Sequence, residues 1–275
     1  MIKIAKEIRA LTIECIASIG QGHIGGSLSI VDALTVLYYK HMNVDPKNPK
    51  MKGRDRLVVS KGHAGPGVYA TLAHKGYFPK EELLTLNRIG TNLPSHCDMN
   101  KTPGVDMTAG SLGQGLSCAC GMALGSKLSQ DNAYIYCIIG DGESQEGQIW
   151  EASMFAAHEK LDNLIVMLDY NKLQLCGYTE DVMSIHDPAK KWESFGFYVQ
   201  SIDGNDINAV DAAITNAKQN KGKPSMIVLN TIKGKGFSYS ENAGIDNHSM
   251  PISAETLQKA KEELIRLYGA ECFID

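Results

Sequence analysis

The chain is predicted to form a three-layer α/β/α structure with a mostly parallel, open sheet. Short apolar runs alternate with longer amphipathic segments along its 275 residues. Several apolar runs lead straight into glycine-rich loops, as strands do in α/β proteins that bind ligands beyond their strand ends. No linker, repeat or low-complexity segment divides the chain, so we expect residues 1–275 to form a single domain.

The elements follow from the spacing of apolar residues, taken in chain order. Residues 3–19 carry apolar side chains at three- and four-residue intervals, which predicts an amphipathic helix ending at Gly20. Ser29 is expected to cap a second helix. Further helices are expected at 68–75, 80–88, 116–128, 187–195, 208–219 and 254–267, and strands at 56–60, 134–139, 164–168, 198–202 and 225–232.

Composition excludes several classes of partner. The formal net charge of −4 gives no reason to expect nucleic acid or an anionic membrane. The seven cysteines include no C-x-x-C pair, so neither a disulfide framework nor a zinc ribbon is indicated, and a cytoplasmic location is expected. The N-terminus does not read as a signal peptide, and no apolar run approaches the roughly 20 residues that span a bilayer.

The most informative stretch is residues 134–173. An apolar strand runs into the triplet Gly-Asp-Gly at 140–142, a helix follows, and a second apolar strand precedes Asn171. Two strands bridged by a helix form a right-handed βαβ unit, so both strand ends lie at one edge of a parallel sheet. Asp141 and Asn171 are therefore expected side by side. With a nearby backbone carbonyl they form an oxygen set suited to Mg²⁺ or Ca²⁺, with room for a diphosphate.

Other glycine-rich loops carry single polar side chains. His23 lies in the loop at 20–27, where a structural and a functional role are about equally supported by the sequence. The loops at 60–66 and 93–98 each hold another histidine. The helix at 116–128 is crowded with small residues, which fits tight packing alone or a backbone cradle for a phosphate or a heterocycle at its N-terminus. No P-loop or Rossmann fingerprint is present.

Together these motifs resemble the N-terminal, diphosphate-binding third of transketolase. The triplet and the asparagine match the thiamine-diphosphate motif, because 171 − 141 = 30 positions separate Asp141 from Asn171. The other matching segments are GHIGGS at 22–27, SKGHAGP at 60–66, TAGSLGQGLS at 108–117, IKGKG at 232–236, and His248. The resemblance covers nearly the whole chain and implies the diphosphate-domain fold of thiamine-diphosphate enzymes.

The resemblance implies two sets of ligand contacts. Asp141 and Asn171 would ligate Mg²⁺ through their side chains and Leu173 through its carbonyl, an oxygen set that would also suit Ca²⁺ or Mn²⁺. Thiamine diphosphate would be contacted by Lys61, His63, Gly110, Leu112, Gly142, Asn171, Lys233 and His248. By default the two lysines in this set would be solvated surface residues.

The resemblance also implies roles in catalysis. His23, His96 and His248 match substrate-channel histidines, and imidazole suits proton transfer because its ordinary pKa lies near working pH. Glu146 and Glu151 match acidic positions that meet a neighbouring subunit, although ordinary surface carboxylates are the default for such residues. Two departures from relatives stand out: Gly26 replaces a frequent Ser, and Cys97-Asp98 follows the channel histidine at 96.

Full-length transketolases continue into a pyrimidine-binding domain and a C-terminal domain. We expect these in a separate C-terminal subunit, with two copies of each chain in an α2β2 assembly and no activity from this chain alone. The expected reaction transfers a two-carbon glycolaldehyde unit from a ketose phosphate to an aldose phosphate in the pentose phosphate pathway. The alternatives are a split transketolase for a sulfosugar or branched-sugar phosphate, the alpha subunit of a 2-oxoacid dehydrogenase, and a non-enzymatic regulatory subunit.

Overall fold

A five-stranded parallel sheet lies at the centre of the chain. The computed structural model describes residues 1–268 and 273–274. The strands are β1 (Gln21–Gly22), β2 (Arg56–Val59), β3 (Ile135–Gly140), β4 (Leu164–Tyr170), β5 (Leu173–Gln174), β6 (Gly177–Tyr178), β7 (Tyr198–Asp203), β8 (Ser225–Asn230) and β9 (Met250–Pro251). The central sheet has the order β2-β3-β4-β8-β7, and each neighbouring pair is parallel. The predicted sheet type is confirmed.

Helices connect the strands of this sheet. They are α1 (Ile2–Ala17), α2 (Ile24–Leu28), α3 (Val31–Val36), α4 (Gly65–Lys75), α5 (Gln114–Ser129), α6 (Gly147–His158), α7 (Thr179–Met183), α8 (Pro188–Ser194), α9 (Ile207–Gln219), α10 (Ser238–Glu241) and α11 (Ala254–Tyr268). The helix expected at 80–88 is wrong, since only a 3-10 segment, Lys80–Thr85, forms there. Asn87 has a positive φ of 54° and bonds to the carbonyl of Leu93, which turns the chain away.

The core lies in two layers, one on each face of the sheet. Side chains alternate along a strand, so Tyr136 and Ile138 pack into one layer with helices α1, α3, α4 and α9. Cys137 and Ile139 pack into the other layer with α5, α6 and α8. Both faces are therefore covered, as expected for a parallel sheet with continuously apolar strands. The three-layer α/β/α class is confirmed.

Two further predictions concern membrane-spanning helices and the cysteines. None of the helices in residues 1–268 combines the length and apolar character needed to cross a bilayer. Six cysteines within the described ranges are free thiols, and Cys176 is the exposed one among them. Cys272 lies outside the described residues.

Candidate active site

The loops that follow four neighbouring strands meet at one edge of the sheet. Asp141 follows β3 and Asn171 follows β4, and these two strands pair in parallel. Lys61 lies just beyond β2, and Lys233 lies just beyond β8. The carboxyl edge of a parallel sheet is where α/β proteins bind ligands. The structure thus brings together the side chains that the βαβ reasoning placed side by side.

These loops enclose a cleft of about 400 Å³. Every residue that the sequence singled out as a cofactor, metal or channel contact lines it: His23, Lys61, His63, His96, Gly110, Leu112, Asp141, Gly142, Asn171, Leu173, Lys233 and His248. Glu146, expected to meet a neighbouring subunit, also lines it. The lining also includes residues that the sequence did not single out: Gly140, Glu143, Gln145, Asp169, Gln174 and Leu175. A single concave site therefore holds all of these candidates.

Asp141 is a buried carboxylate with a raised pKa. Its side chain accepts hydrogen bonds from the backbone N–H of Gly142 at 2.8 Å and of Lys172 at 2.5 Å. Burial and the neighbouring negative charge of Asp169 raise the pKa of Asp141 to about 7. A carboxylate in this position gains from a cation beside it, since a cation compensates both causes of the shift.

The side-chain amide of Asn171 has a defined orientation. Its Nδ2 donates to the carboxylate of Asp169 at 2.8 Å, and its Oδ1 accepts from the N–H of Leu173 at 3.1 Å. A carboxylate can only accept here, so the nitrogen of the amide is fixed toward Asp169. The carbonyl of Leu173 accepts from Lys233 Nζ at 3.1 Å. A carboxylate, an amide oxygen and a backbone carbonyl are the donor types that Mg²⁺ takes, and these residues fit that ion.

Asp169 is the buried hub of the site. It accepts from Lys61 Nζ at 2.6 Å and from the Ser29 hydroxyl at 2.7 Å, besides the bonds to Asn171 and Thr231. Although burial disfavours its charged form, the ion pair with Lys61 lowers the pKa of Asp169 below its usual range. The expected helix cap at Ser29 is wrong, because Ile30 holds the N-cap position of α3 and the Ser29 hydroxyl is bonded to Asp169 instead.

Lys61 has little freedom to move. Its ammonium group donates to the carbonyl of Gly26 at 2.7 Å as well as to Asp169, and the residue is only 2% exposed. The solvated lysine that the sequence left open as the default is therefore wrong here. A Cβ added at Gly26 would lie 3.2 Å from His63 Nε2, so a serine at this position would press on that ring.

Four histidines form a cluster in the cleft. The ring of His23 lies 5.5 Å from that of His63, 5.6 Å from His96 and 5.3 Å from His248, measured between ring centres. The rings of His63 and His248 are 5.0 Å apart. The three loops that the sequence marked separately, together with the segment before β9, thus converge on one point.

Most of this cluster is neutral near pH 7. Burial, aided by the positive charge of Lys233, lowers the pKa of His248 to about 4. Burial also lowers the pKa of His23, and that of His63 lies well below the ordinary value. The pKa values of these three rings thus lie below the ordinary imidazole value. A neutral imidazole donates one hydrogen bond and accepts another, which suits it to orient hydroxyl groups.

The N-terminus of α5 is already occupied by protein groups. Glu143 accepts a hydrogen bond from the N–H of Gly113 at 2.9 Å, and the Ser60 hydroxyl accepts from the N–H of Gly115 at 3.1 Å. These two N–H groups are therefore bonded within the chain, and the backbone cradle that the sequence left open at this helix stays a prediction. Gly110 and Leu112, just before the helix, are exposed toward the cleft and remain free to contact a ligand.

The two acidic residues after the Gly-Asp-Gly triplet occupy different places. Glu146 is at the N-cap of α6, is exposed and lines the cleft. Glu151 is exposed within α6 and is not among the residues that line the cleft. Cys97 is 3% exposed and also lies outside the cleft lining, and burial raises its pKa to about 12. Cys97 therefore lies in the packing behind the site.

Comparison with known proteins identifies the chain. Residues 2–270 match the family described as transketolase, thiamine diphosphate binding domain. The chain belongs to the transketolase family. A 6-deoxy-6-sulfo-D-fructose transketolase subunit from a Clostridium species is 55% identical over 94% of both chains. One of the apulose-4-phosphate transketolase subunits, from Actinobacillus succinogenes, is 43% identical, over 88% of this chain and 87% of that one.

Solved transketolase structures share the fold. A transketolase from Pichia stipitis superposes with a TM-score of 0.88 at 32% identity over 95% of this chain. The enzyme from Campylobacter jejuni gives a TM-score of 0.88 at 33% identity. The chain covers 40% and 42% of these two proteins, respectively, and so corresponds to less than half of a transketolase of known structure.

Sequence reasoning missed two residues that the structure places at the centre of the site, Asp169 and Glu143. Asp169 ends the apolar run Leu-Ile-Val-Met-Leu at 164–168, and Glu143 directly follows the Gly-Asp-Gly triplet. A charged side chain at the end of a fully buried strand must be paired, because an isolated buried charge is costly. That rule was the available signal for Asp169.

Proposed function

We propose that this chain is the N-terminal subunit of a split transketolase, which holds thiamine diphosphate by its diphosphate end. The observation that carries this proposal is the placement of Asp141 and Asn171 at the ends of adjacent parallel strands, in the cleft that contains Gly142. The family match to a thiamine diphosphate binding domain supports the choice of cofactor. It also favours this assignment over the alpha subunit of a 2-oxoacid dehydrogenase.

Mg²⁺ is held by the carboxylate of Asp141, the amide oxygen of Asn171 and the carbonyl of Leu173. Ca²⁺ and Mn²⁺ suit the same oxygens. Only one of these ligands carries charge, so the ion keeps affinity for the anionic oxygens of a diphosphate. This set differs from a metal site built from three or more His, Cys, Asp or Glu side chains, because Asp141 is its one residue of these types. No site of that other kind is found among residues 1–268 and 273–274.

The chain binds the diphosphate of the cofactor and also contacts its aminopyrimidine ring. Lys61, His63 and Lys233 face the diphosphate, and Gly142 lets it approach the backbone, where a Cβ would already lie 2.9 Å from Gln174 Cβ. The backbone around Gly110 and the Leu112 side chain contact the aminopyrimidine. When bound, thiamine diphosphate supplies the electron sink that carries the two-carbon glycolaldehyde unit between sugars.

His23, His96 and His248 face the sugar. Their rings are close enough to bond adjacent hydroxyl groups of one ketose, and the neutral state of His23 and His248 gives each ring one donor and one acceptor. Glu146, exposed at the cleft rim, meets a second protein chain.

The remainder of the active site lies on a second chain. Residues 1–275 form a single diphosphate-binding domain, and the pyrimidine-binding and C-terminal domains belong to a C-terminal subunit in an α2β2 assembly. Two relatives of nearly the same length are named as transketolase subunits, which supports this division. The free thiols within the described residues support a cytoplasmic location.

Two classes of substrate are candidates for this reaction. The first is transfer between xylulose 5-phosphate and ribose 5-phosphate in the pentose phosphate pathway. The second is transfer from a sulfosugar or a branched-sugar phosphate, and the 55% identity to a 6-deoxy-6-sulfo-D-fructose transketolase subunit favours it. Because this identity extends over 94% of both chains, it supports a sulfosugar as the ketose donor.

A coupled assay of the chain with its C-terminal partner separates these substrates. Glycolaldehyde transfer from 6-deoxy-6-sulfo-D-fructose, faster than from xylulose 5-phosphate, is the expected result. Calorimetry with thiamine diphosphate and Mg²⁺ then tests the site itself, comparing wild type with Asp141→Ala in the presence of the partner. Retained thiamine-diphosphate affinity in Asp141→Ala would sink the assignment of the metal ligands.

A further inference from the structure

One buried carboxylate ties three segments of the cleft together. Glu143 is 2% exposed, and its Oε2 accepts from the N–H of Gly140 at 2.9 Å, where β3 ends. Its Oε1 accepts from the N–H of Gly113 at 2.9 Å and from the hydroxyl of Ser60, which follows β2. One side chain therefore links the ends of two strands to the segment that enters α5.

The start of α5 depends on this carboxylate. The first N–H groups of a helix lack partners within the helix, and no side chain of its own sequence caps α5. Gly113, in the N-cap position, has a φ of 87°, and its N–H donates to Glu143. The Ser60 hydroxyl accepts from Gly115 and donates to Glu143, which extends the link by one bond. A negative charge at a helix N-terminus is favoured by the helix dipole.

Packing around the link is tight. A Cβ added at Gly115 would lie 2.4 Å from Ser60 Oγ, so the helix backbone directly contacts the end of β2. A second attachment of the same segment is the bond from the N–H of Ala109 to the carbonyl of Cys97 at 3.0 Å. Between these two anchors Gly110 and Leu112 are exposed, and a Cβ at Gly110 would meet nothing within 4 Å. The positions of Gly110 and Leu112 are therefore determined by the bond of Ala109 to Cys97 on one side and the bond of Gly113 to Glu143 on the other.

We propose that Glu143 is a positioning residue, which fixes the segment at 109–113 relative to the Gly-Asp-Gly triplet. This inference rests on the proposed function: the triplet holds the diphosphate and the segment contacts the aminopyrimidine. Thiamine diphosphate spans both places, whereas pyrophosphate reaches only the first. Glu143 is almost fully buried and acts through its hydrogen bonds to Gly113 and Gly140.

The test compares two ligands on the same variants. In Glu143→Gln the amide nitrogen cannot accept, so one of the bonds to Gly113 and Gly140 is lost. Ser60→Ala weakens the α5 side of the link and leaves the bond from Gly140 to Glu143 in place. Glu159→Gln, an exposed residue at the end of α6, is the matched control. Calorimetry is performed on the full chain with its partner subunit, with Mg²⁺ and either thiamine diphosphate or pyrophosphate.

Glu143→Gln is expected to weaken thiamine diphosphate binding about tenfold or more, or roughly 1.4 kcal/mol, and pyrophosphate binding less than threefold, because only thiamine diphosphate reaches the segment that Glu143 positions. Ser60→Ala should show the same split at smaller amplitude, and Glu159→Gln should match wild type. Equal loss of both ligands, or loss of neither, overturns the positioning role. Should Glu143→Gln fail to fold, as judged by tryptophan fluorescence, Ser60→Ala decides by the same criterion. Wild type that binds neither ligand would refute the proposed function itself, an outcome distinct from these.

Discussion

The amide nitrogen of Asn171 donates to the buried carboxylate of Asp169 at 2.8 Å. The same carboxylate pairs with the ammonium of Lys61 at 2.6 Å, and both side chains are almost fully buried. One residue thus balances a buried charge and sets which atom of the Asn171 amide can face a metal ion. Stability and the proposed metal site are coupled at Asp169.

Loss of the charge at Asp169 should destabilise the fold strongly. Asp169→Asn leaves the ammonium of Lys61 buried without a counter-ion, and removing one partner of a buried pair costs about 3–5 kcal/mol. Urea unfolding followed by tryptophan fluorescence gives the free energy of unfolding. Asp162→Asn is the matched control, because it breaks the half-exposed pair with Lys127 and should cost about 1 kcal/mol or less. Equal costs for the two variants would contradict the buried-hub description.

Asp141 should destabilise the metal-free protein as pH rises. Its pKa in the fold is about 7 against an ordinary 3.8, so between these pH values the folded state holds a proton that the unfolded chain has released. Asp141→Asn removes this titration. The free energy of unfolding of the variant should therefore gain roughly 2.7 kcal/mol relative to wild type between pH 5 and pH 8, measured by urea unfolding with a chelator present. Parallel pH profiles for the two proteins would contradict the shifted pKa.

His248 should make the fold sensitive to acid. Burial and the charge of Lys233 lower its pKa to about 4, with smaller contributions from His23 and Lys61. As the pH falls below about 6.5, the imidazole of His248 binds a proton in the unfolded chain but stays neutral in the folded chain. The neutral, buried ring therefore contributes fully to the free energy of unfolding above about pH 6.5, and this contribution is lost as the pH falls toward 4. His248→Gln should flatten the loss of unfolding free energy over that window. His158→Gln changes an exposed residue at the end of α6 and should leave the pH dependence of the unfolding free energy unchanged. A steeper pH dependence in His248→Gln than in wild type would contradict the lowered pKa of His248.

A methyl group at Gly142 should block the cofactor. The backbone there is ordinary, with φ −62°, but a Cβ would lie 2.9 Å from Gln174 Cβ and would narrow the cleft at the diphosphate. Gly142→Ala is expected to weaken thiamine diphosphate binding at least about tenfold, or roughly 1.4 kcal/mol. Gly147→Ala is the control, since a Cβ there meets nothing within 4 Å. Calorimetry that finds equal affinities for the two variants would contradict close approach of the diphosphate at Gly142.

The sheet and its ligand-binding edge followed from the sequence because their signals are local. The apolar run from 164 to 168 could only be a buried strand, and the βαβ rule then placed Asp141 beside Asn171. The 3-10 segment at Lys80–Thr85 was predicted as a helix, since nothing local revealed the turn at Asn87.

Buried polar residues were not predictable in the same way. Ser29 has the side chain of a helix cap, and only the arrival of β4 from 140 positions away makes it a partner of Asp169. From the sequence, Glu143 has the pattern of a surface residue in a loop, whereas in the fold it accepts a hydrogen bond from the N–H of Gly113. Asp169 and Gly113 are remote in the chain from Ser29 and Glu143, so propensity and spacing carry no information about these two contacts.

The central claim is that Asp141 and Asn171 hold a divalent cation against the diphosphate of thiamine diphosphate. Mn²⁺ in place of Mg²⁺ allows a direct measurement, because it broadens the ³¹P resonances of phosphorus atoms close to it. With the full chain and its partner subunit in excess over the cofactor and with substoichiometric Mn²⁺, both ³¹P signals of thiamine diphosphate should broaden more in wild type than in a protein-free sample. In Asp141→Ala the broadening should fall to that of the protein-free sample. Equal broadening in wild type and Asp141→Ala, or broadening in wild type no greater than without protein, would contradict the claim.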